Sequence, residues 1–313
     1  MRLPVVMQAP IGPATTTDLV VAVVEAGGLG CLAASWTFPS VLRAQVREIQ
    51  RSIDRPFCVN LGLAFDQQER IDLLGEERVP VISFSWGIDD FAIKRARAAG
   101  ARVLVQVGDV ETGERAAAAG ADILIAQGVE AGGHVQSEAP LHRLVHNLRE
   151  AVSLPILAAG GIAESASVVA ALDAGAAGVV AGTAYLAADE ADVHPLHRDQ
   201  LFSARASATT LTTLFDVGWP DAPHRVLRNT TMKAWRAVGS PPPGQRPGED
   251  QPVATRSRRT IVRYSDAQPT SDTSGDIEAM ALYAGTGVEH VQRQEAAGAI
   301  TARLLTAASA RNP

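Results

Sequence analysis

Short apolar runs alternate along the chain with longer segments in which apolar positions recur every three or four residues. Eight such runs occur, at residues 4–10, 29–34, 57–63, 80–87, 102–108, 122–128, 155–161 and 178–186. Each run is nearly continuously apolar, as expected of parallel strands buried on both faces. The segments between the runs have the helical period. The pattern predicts eight consecutive βα units, which is an α/β fold.

Three of the predicted helix-to-strand joints are near copies of one another. They read AAGARV, AAGADI and DAGAAGVV, and their glycines are Gly100, Gly120 and Gly175. Glycine can adopt the left-handed conformation that ends a helix, and a strand follows directly in each case. Eight units with repeated joints favour a (β/α)8 TIM barrel, with a doubly wound open sheet as the alternative.

The alternation stops after residue 186. We expect a barrel over residues 1–198, an inserted smaller lid subdomain over residues 199–280, and a C-terminal segment over residues 281–313 that closes the barrel. Helical periodicity returns at residues 288–309, which predicts the closing helix. The stretch GSPPPGQRPGEDQP, residues 239–252, is rich in Pro and Gly and predicts an exposed, semi-extended loop.

Composition narrows the class of partner. The 313 residues are 46% hydrophobic and carry a net charge of −6 without a long block of one sign, which gives little support to a nucleic-acid or polybasic membrane surface. Cys31 and Cys58 lie in apolar runs and are expected to be buried thiols rather than a disulfide or a metal pair. We expect a cytoplasmic protein with a small-molecule substrate and no metal site. The oligomeric state is left open, with a homodimer as one option.

Barrel enzymes carry their active sites at the C-terminal ends of the strands. The seventh run ends in AAGGI, residues 158–162, and the eighth contains AGT, residues 181–183. Adjacent glycines let backbone N–H groups approach an anion closely, so this pair of connections predicts a phosphate cradle. The alternative is two ordinary tight turns.

Four amide side chains lie in or at the end of predicted strands: Gln8, Asn60, Gln106 and Gln127. A buried amide without a partner costs about 1–3 kcal/mol. Four amides near the mouth of one barrel therefore suggest that a large polar heterocycle binds there as their partner. The alternative is that each amide bonds a neighbouring loop, which we expect most of Gln106.

One histidine follows two glycines at this predicted mouth. His134 lies in AQGVEAGGHVQSEAP, residues 126–140, after the sixth run, and imidazole is a natural group for moving a proton near neutral pH. The other reading is a solvated loop histidine. His142 and His146, and then His194 and His197, are interpreted as surface residues because no acidic or cysteine ligand accompanies them.

The combination of motifs resembles the nitronate monooxygenase family, formerly called 2-nitropropane dioxygenases, whose members are FMN-dependent TIM barrels. The resemblance runs almost end to end. Its marks are QAP at residues 8–10, AGGLG at 26–30, VNLGL at 59–63, QGVEAGGH at 127–134, AAGGI at 158–162, AGT at 181–183 and LYAGTGV at 282–288.

The resemblance implies a flavin site at the mouth of the barrel and the oxidation of alkyl nitronates, such as propionate 3-nitronate, with O2 to a carbonyl compound and nitrite. His134 matches the catalytic histidine, which would orient the nitro group or remove the α-proton of a neutral nitroalkane. The implied FMN-binding residues are Gly160, Gly161, Gly182 and Thr183 at the phosphate, Gln8, Ala9, Pro10, Asn60 and Gln127 around the flavin, and Ala131, Gly132 and Gly133 alongside it.

The chain also departs from the family pattern. Well-characterised members are similar to GGHRG where this chain reads GGHVQ, and they commonly carry a short lead-in before the first strand, so the start is expected to be truncated or misassigned. An NAD(P)H-dependent FMN reductase of the same fold, of the enoyl-ACP reductase or quinone reductase type, is the main alternative function. A non-redox phosphate-binding barrel enzyme and an inactive interaction protein are two further alternatives.

The insertion carries Trp219 and Trp235. A lid over the flavin face would set substrate size and exclude water. The same aromatic residues could form the small core of the insertion, and we expect that role for Trp219, which precedes Pro220.

Overall fold

Eight parallel strands form the centre of the molecule in the computed structural model, which describes residues 4–310. The short strand β7 (Gly133–His134) lies outside this sheet. The eight strands are β1 (Val6–Gln8), β2 (Cys31–Ala33), β3 (Cys58–Gly62), β4 (Val81–Ser85), β5 (Arg102–Val107), β6 (Ile123–Gln127), β8 (Ile156–Ala159) and β9 (Gly178–Ala181).

The sheet closes on itself. Its order is β1-β9-β8-β6-β5-β4-β3-β2, and the two ends are joined because Gln8 N donates to Leu29 O at 3.0 Å and Leu29 N donates to Val6 O at 2.9 Å. The barrel prediction is therefore confirmed, and the open-sheet alternative is wrong. Each predicted apolar run contains one barrel strand.

Helices surround the barrel. They are α1 (Thr17–Glu25), α2 (Pro39–Ser52), α3 (Gln68–Glu76), α4 (Asp90–Ala98), α5 (Val110–Ala119), α6 (Leu141–Ala151) and α7 (Ser165–Asp173). Gly100, Gly120 and Gly175 follow three of these helices with φ of +90°, +104° and +98°, which confirms the predicted left-handed joints.

The apolar core has two layers. The inner layer fills the barrel with side chains such as Met7, Leu104 and Ile125, and the outer layer packs the strands against the helices. Cys31 and Cys58 belong to the inner layer as buried free thiols, as predicted, and burial raises the pKa of the Cys31 thiol. A filled interior leaves the strand ends as the place where a ligand can bind.

The chain after β9 builds the insertion and then the last helix. Its elements are α8 (Pro195–Ser203), β10 (Thr209–Thr212), β11 (His224–Leu227), α9 (Thr230–Ala237), β12 (Pro252–Arg256), β13 (Arg259–Val262), β14 (Thr273–Gly275) and α10 (Ala297–Ser309). Short 3-10 helices span Gly12–Ala14, Thr183–Ala187, Ala206–Ala208, Ile277–Ala279 and Thr286–His290. Helix α10 packs against both α7 and α1. Helix α8 crosses the predicted boundary at residue 198, and residues 1–3 and 311–313 of the predicted segments lie outside the described part of the chain.

The Pro/Gly-rich stretch at residues 239–252 is a largely exposed loop, as predicted, but residues 243–250 form turns and bends instead of a semi-extended segment. Arg246 anchors it from a buried position, with Nη1 2.8 Å from Asp216 Oδ1 and Nε 2.8 Å from Glu249 Oε1. The guanidinium also lies 4.3 Å from the centroid of the Tyr264 ring. A buried, fully paired arginine holds the turns against the rest of the insertion.

Across residues 4–310, no helix combines the length and the apolar character needed to cross a membrane.

Candidate active site

Two glycine-containing connections lie side by side at the C-terminal ends of the adjacent strands β8 and β9. Gly160 and Gly161 have φ of +123° and +70°, where side-chain-bearing residues are rare, and a Cβ on Gly160 would lie 3.1 Å from Ala131 N. Gly182 and Thr183 follow β9 at the start of a 3-10 helix. The structure therefore brings together the glycines that the motifs placed at a phosphate, with bare backbone that an anion can approach.

Residues 284–287 complete this side of the mouth, although the motif analysis gave them no role. Gly285 N donates to Thr183 Oγ1 at 2.9 Å, and Thr286 N donates to Glu130 O at 2.9 Å. A Cβ on Gly132 would lie 2.4 Å from Gly285 N, so the two backbones touch. The glycines of LYAGTGV were the available sequence signal.

His134 is held by hydrogen bonds on both sides of its strand. Strand β7 pairs with β11, which sets His134 opposite His224, and Val135 N donates to Pro223 O at 2.8 Å. On the barrel side, Gln127 Nε2 donates to His134 O at 3.0 Å. The insertion and the barrel thus fix the position of this histidine together.

The His134 imidazole is neutral. Burial, with a smaller contribution from the neighbouring His224, lowers its pKa to about 3. Nε2 is buried and has no hydrogen-bond partner among the described residues. Because an unpaired buried nitrogen is costly, this atom is a natural contact for a bound polar molecule.

Aromatic rings surround the imidazole. Trp219 stacks on His134 with ring centroids 4.4 Å apart and planes 29° apart, while Tyr283 and Trp86 lie at 5.6 Å and 6.0 Å. The expectation that Trp219 belongs to the core of the insertion is wrong, because Gly218 with φ of +117° precedes Trp219 and the ring lies on the mouth instead. The core of the insertion consists of Leu214, Phe215, Val226, Met232, Tyr264 and Ala281, with Trp235 and Tyr283 packed against it.

The amides Gln8 and Asn60 are buried and have protein partners. Gln8 Oε1 accepts from Cys31 N at 2.8 Å, and Asn60 Nδ2 donates to Ser83 Oγ at 2.9 Å. Ala9 and Pro10 extend from β1 toward Gly182, since Ala9 N donates to Ala181 O at 2.8 Å. These amides are satisfied within the protein, so they do not by themselves require a heterocycle.

The amides Gln106 and Gln127 bond the loop that follows His134. Gln136 N donates to Gln127 Oε1 at 2.9 Å, and Gln106 Nε2 donates to Gln136 Oε1 at 2.8 Å. Trp86 N also donates to Gln136 Oε1, at 3.2 Å. Gln106 therefore has the loop-bonding role expected of it, and Gln127 positions His134 through the backbone.

The remaining predicted histidines lie apart from the site. His142 and His146 are exposed on α6, as predicted, and His194 caps the N-terminus of α8. His197 is fully buried, with Nε2 3.2 Å from Tyr283 O, so its surface prediction is wrong. Burial lowers the pKa of His197 to about 4, because the last segment before α10 covers α8.

Comparisons with known proteins identify relatives over most of the chain. The sequence profile described as "Nitronate monooxygenase" matches residues 2–69 and 62–307. A nitronate monooxygenase of Pseudomonas aeruginosa is 33% identical over 255 residues, which cover 66% of this chain and 73% of that protein. A (3aS,4S,5R,7aS)-5-hydroxy-7a-methyl-1-oxo-octahydro-1H-indene-4-carboxyl-CoA dehydrogenase of Mycobacterium tuberculosis is 34% identical over 73% of this chain, and the match spans 64% of that protein, slightly less than two thirds.

Two solved structures are similar to this chain over nearly its whole length. The nitroalkane oxidase of Streptomyces ansochromogenes is 29% identical and superimposes with a TM-score of 0.79 over 98% of this chain and 97% of that chain. FabK of Thermotoga maritima is 25% identical, with a TM-score of 0.80 over 98% of this chain and 93% of that chain. The profile match over nearly the whole chain, together with these relatives, shows that the chain belongs to the nitronate monooxygenase family of oxidoreductases.

Proposed function

We propose that this chain binds FMN at the mouth of its barrel and oxidises alkyl nitronates with O2 to a carbonyl compound and nitrite. The observation that carries the proposal is the buried Nε2 of His134, which has no hydrogen-bond partner among the described residues and follows Gly132, whose backbone touches that of Gly285. Family members are generally flavin-dependent, and the residues present fit a flavin phosphate in particular.

The fit to FMN rests on backbone and open space. Gly160, Gly161, Gly182 and Thr183 would hold the phosphate, because bare backbone at two adjacent barrel connections suits an anion. Beside Gly133 no atom lies within 4 Å of the position a Cβ would take, which leaves room along the strand that ends at His134. FMN supplies the redox chemistry that none of these side chains can provide.

The neutral state of His134 bears on the substrate. With its pKa lowered to about 3, His134 is a weak base and is poorly suited to removing the α-proton of a neutral nitroalkane. A neutral imidazole whose Nε2 carries hydrogen can instead donate a hydrogen bond to an oxygen of an anionic nitronate. The substrate would therefore be a preformed nitronate, which needs no proton removed.

The other residues of the site orient His134 and cover its imidazole ring. Gln127 and the β7–β11 pairing fix the His134 backbone, and Trp219 covers one face of its ring. Excluding water from this position strengthens the hydrogen bond from Nε2 to an anion.

The test is His134→Asn in FMN-loaded protein, with nitrite release from butyl-1-nitronate as the assay. Asn keeps a polar group of similar reach but places it differently, so we expect bound flavin to be retained and turnover to fall by about 100-fold, the lower range for loss of a positioned catalytic group. His142→Asn, on the exposed face of α6, is the matched control and should retain wild-type turnover. Full turnover in His134→Asn would remove this histidine from the reaction.

The reductase alternative is kept because FabK superimposes on 98% of the chain. An anaerobic titration of the FMN-loaded protein separates the two functions. Bleaching of the flavin absorbance by the nitronate, without response to NADH, supports the proposal. Bleaching by NADH alone would refute it and leave the reductase.

A further inference from the structure

Four aromatic side chains from four separate connections meet at the mouth. Trp36 follows β2, Phe65 follows β3, Trp86 follows β4, and Trp219 comes from the insertion between β10 and β11. The Trp219 centroid lies 4.8 Å from Trp86, 5.0 Å from Phe65 and 5.8 Å from Trp36. We call these four side chains the aromatic wall.

The aromatic wall leads from the buried histidine to solvent. At its inner end Trp219 stacks on His134, and at its outer end Trp36 is 60% exposed. Rings this close form a continuous apolar surface on which a flat group can stack. A ligand that reaches His134 Nε2 with its polar end would lay the rest of its body along this surface.

Two arginines flank the wall. Arg70, in the helix after Phe65, donates from Nε to Thr37 O at 2.9 Å. Arg225, on the strand after Trp219, donates from Nη2 to Val129 O at 2.7 Å. Both guanidinium groups are thus held by backbone carbonyls, although each keeps its positive charge.

A carboxyl group lies behind Trp219. A Cβ on Gly218 would be only 2.3 Å from Asp266 Oδ1, so the Asp266 side chain lies against the backbone that carries Trp219. Burial raises the pKa of Asp266 to about 6, which leaves it ionised above neutral pH. Its charge would repel an anionic tail bound on the wall.

We propose that the aromatic wall makes this chain selective for nitronates with an apolar, ring-bearing substituent, and that it disfavours nitronates with a second carboxylate such as propionate 3-nitronate. The proposal rests on the proposed function and specifies its substrate class. The anionic nitro group would lie at His134 Nε2, and the ring of the substituent would pack against Trp219 and Trp86.

The experiment compares kcat/KM for three nitronates in FMN-loaded protein, measured by nitrite release. The substrates are phenylmethyl nitronate, butyl-1-nitronate and propionate 3-nitronate. We expect the phenyl substrate to exceed propionate 3-nitronate by about tenfold or more, the effect of one well-packed aromatic contact. A preference for propionate 3-nitronate, or equal rates, would overturn the proposal.

Variants of Trp219 distinguish the effect of its aromatic ring on selectivity from the effect of its side-chain volume. Trp219→Ala should reduce the phenyl-to-propionate ratio at least about fivefold. Trp219→Leu keeps apolar volume without a ring, so it should lower kcat/KM for the phenyl substrate more than for the butyl substrate. Phe38→Ala is the matched control, since Phe38 is 67% exposed and shares no ring contact with the wall among the described residues. An unchanged ratio in both Trp219 variants would refute a selective role for the wall.

A binding measurement distinguishes failure of the wall from failure of the proposed function. Phenylacetate and succinate carry a carboxylate in place of the nitronate, and their affinities for the FMN-loaded protein can be measured by calorimetry without turnover. Tighter binding of phenylacetate that Trp219→Leu abolishes supports the wall even if no nitronate is oxidised. Equal binding of both acids overturns it.

Discussion

Acid should destabilise this protein through its buried histidines. Burial lowers the pKa of His134 from its ordinary 6.5 to about 3, and that of His197 to about 4. Below pH 6.5 the unfolded chain takes up protons at both positions, whereas the folded chain does not until the pH approaches these lower values. The stability that the neutral rings contribute is therefore fully present above pH 6.5 and is lost as the pH falls toward 3.

The magnitude at pH 5 follows from the distance below the ordinary pKa. That distance is about 1.5 pH units, and each unit corresponds to about 1.4 kcal/mol, so each histidine should cost about 2 kcal/mol of unfolding free energy. Asp266 acts in the opposite direction, because its pKa is raised to about 6 and acid relieves its buried charge. The comparison between variants, rather than the loss in the wild type alone, isolates the histidine.

The assay is urea unfolding with excess FMN at pH 7.5 and pH 5.0. Wild type and His142→Asn should lose the same unfolding free energy between these pH values, because His142 is exposed. His134→Asn should lose about 2 kcal/mol less than either, because Asn does not titrate. An equal loss in all three proteins would show that the His134 imidazole is not held neutral by burial.

Three further predictions concern Gly132, Gln127 and Arg246. Gly132→Ala should abolish retention of FMN on gel filtration, because its Cβ would lie 2.4 Å from Gly285 N. Gly133→Ala has open space around the added Cβ, so it should lower the unfolding free energy by only about 1 kcal/mol because of its φ of +75°. Equal flavin content in both variants would contradict the close approach. Gln127→Met should keep bound FMN and lower kcat for nitrite release, because His134 O loses its donor; unchanged kcat would remove Gln127 from positioning His134. Arg246→Met should lower the unfolding free energy by about 3 kcal/mol in urea titration, as expected when one partner of a buried ion pair is removed; a change below about 1 kcal/mol would show that the turns hold without it.

The barrel could be predicted from the sequence because its signals are local. A run such as PVISFSWG shows within eight residues that its strand is buried on both faces, and the glycine after a helix shows where that helix ends. The exposed loop at residues 239–252 was also predictable, but its turns at residues 243–250 were not. Their conformation depends on pairing of Arg246 with Asp216, 30 residues away, which no local pattern reveals.

In the site, too, the local features could be predicted from the sequence and the long-range contacts could not. Its glycines and His134 lie in short motifs, so their meeting at the ends of neighbouring strands followed from the barrel itself. The Trp219–His134 stack and the burial of His197 by the backbone at Tyr283 join residues 85 and 86 positions apart. Both contacts depend on how the insertion packs against the rest of the chain. The local sequence around Trp219 and His197 does not indicate that packing.

The hydrogen bonding of the insertion limits how it can admit a substrate. A cover that swings away from the mouth would break the β7–β11 pairing and the bond from Val135 N to Pro223 O, and so would release the backbone of His134. Opening by that route would dismantle the site that it exposes. Entry along the exposed end of the aromatic wall at Trp36 leaves those bonds intact, and it passes every substrate over the same rings that we propose select it. The insertion therefore positions the histidine and presents Trp219 as parts of one structure, so exchanging its sequence between family members should change substrate preference and turnover together.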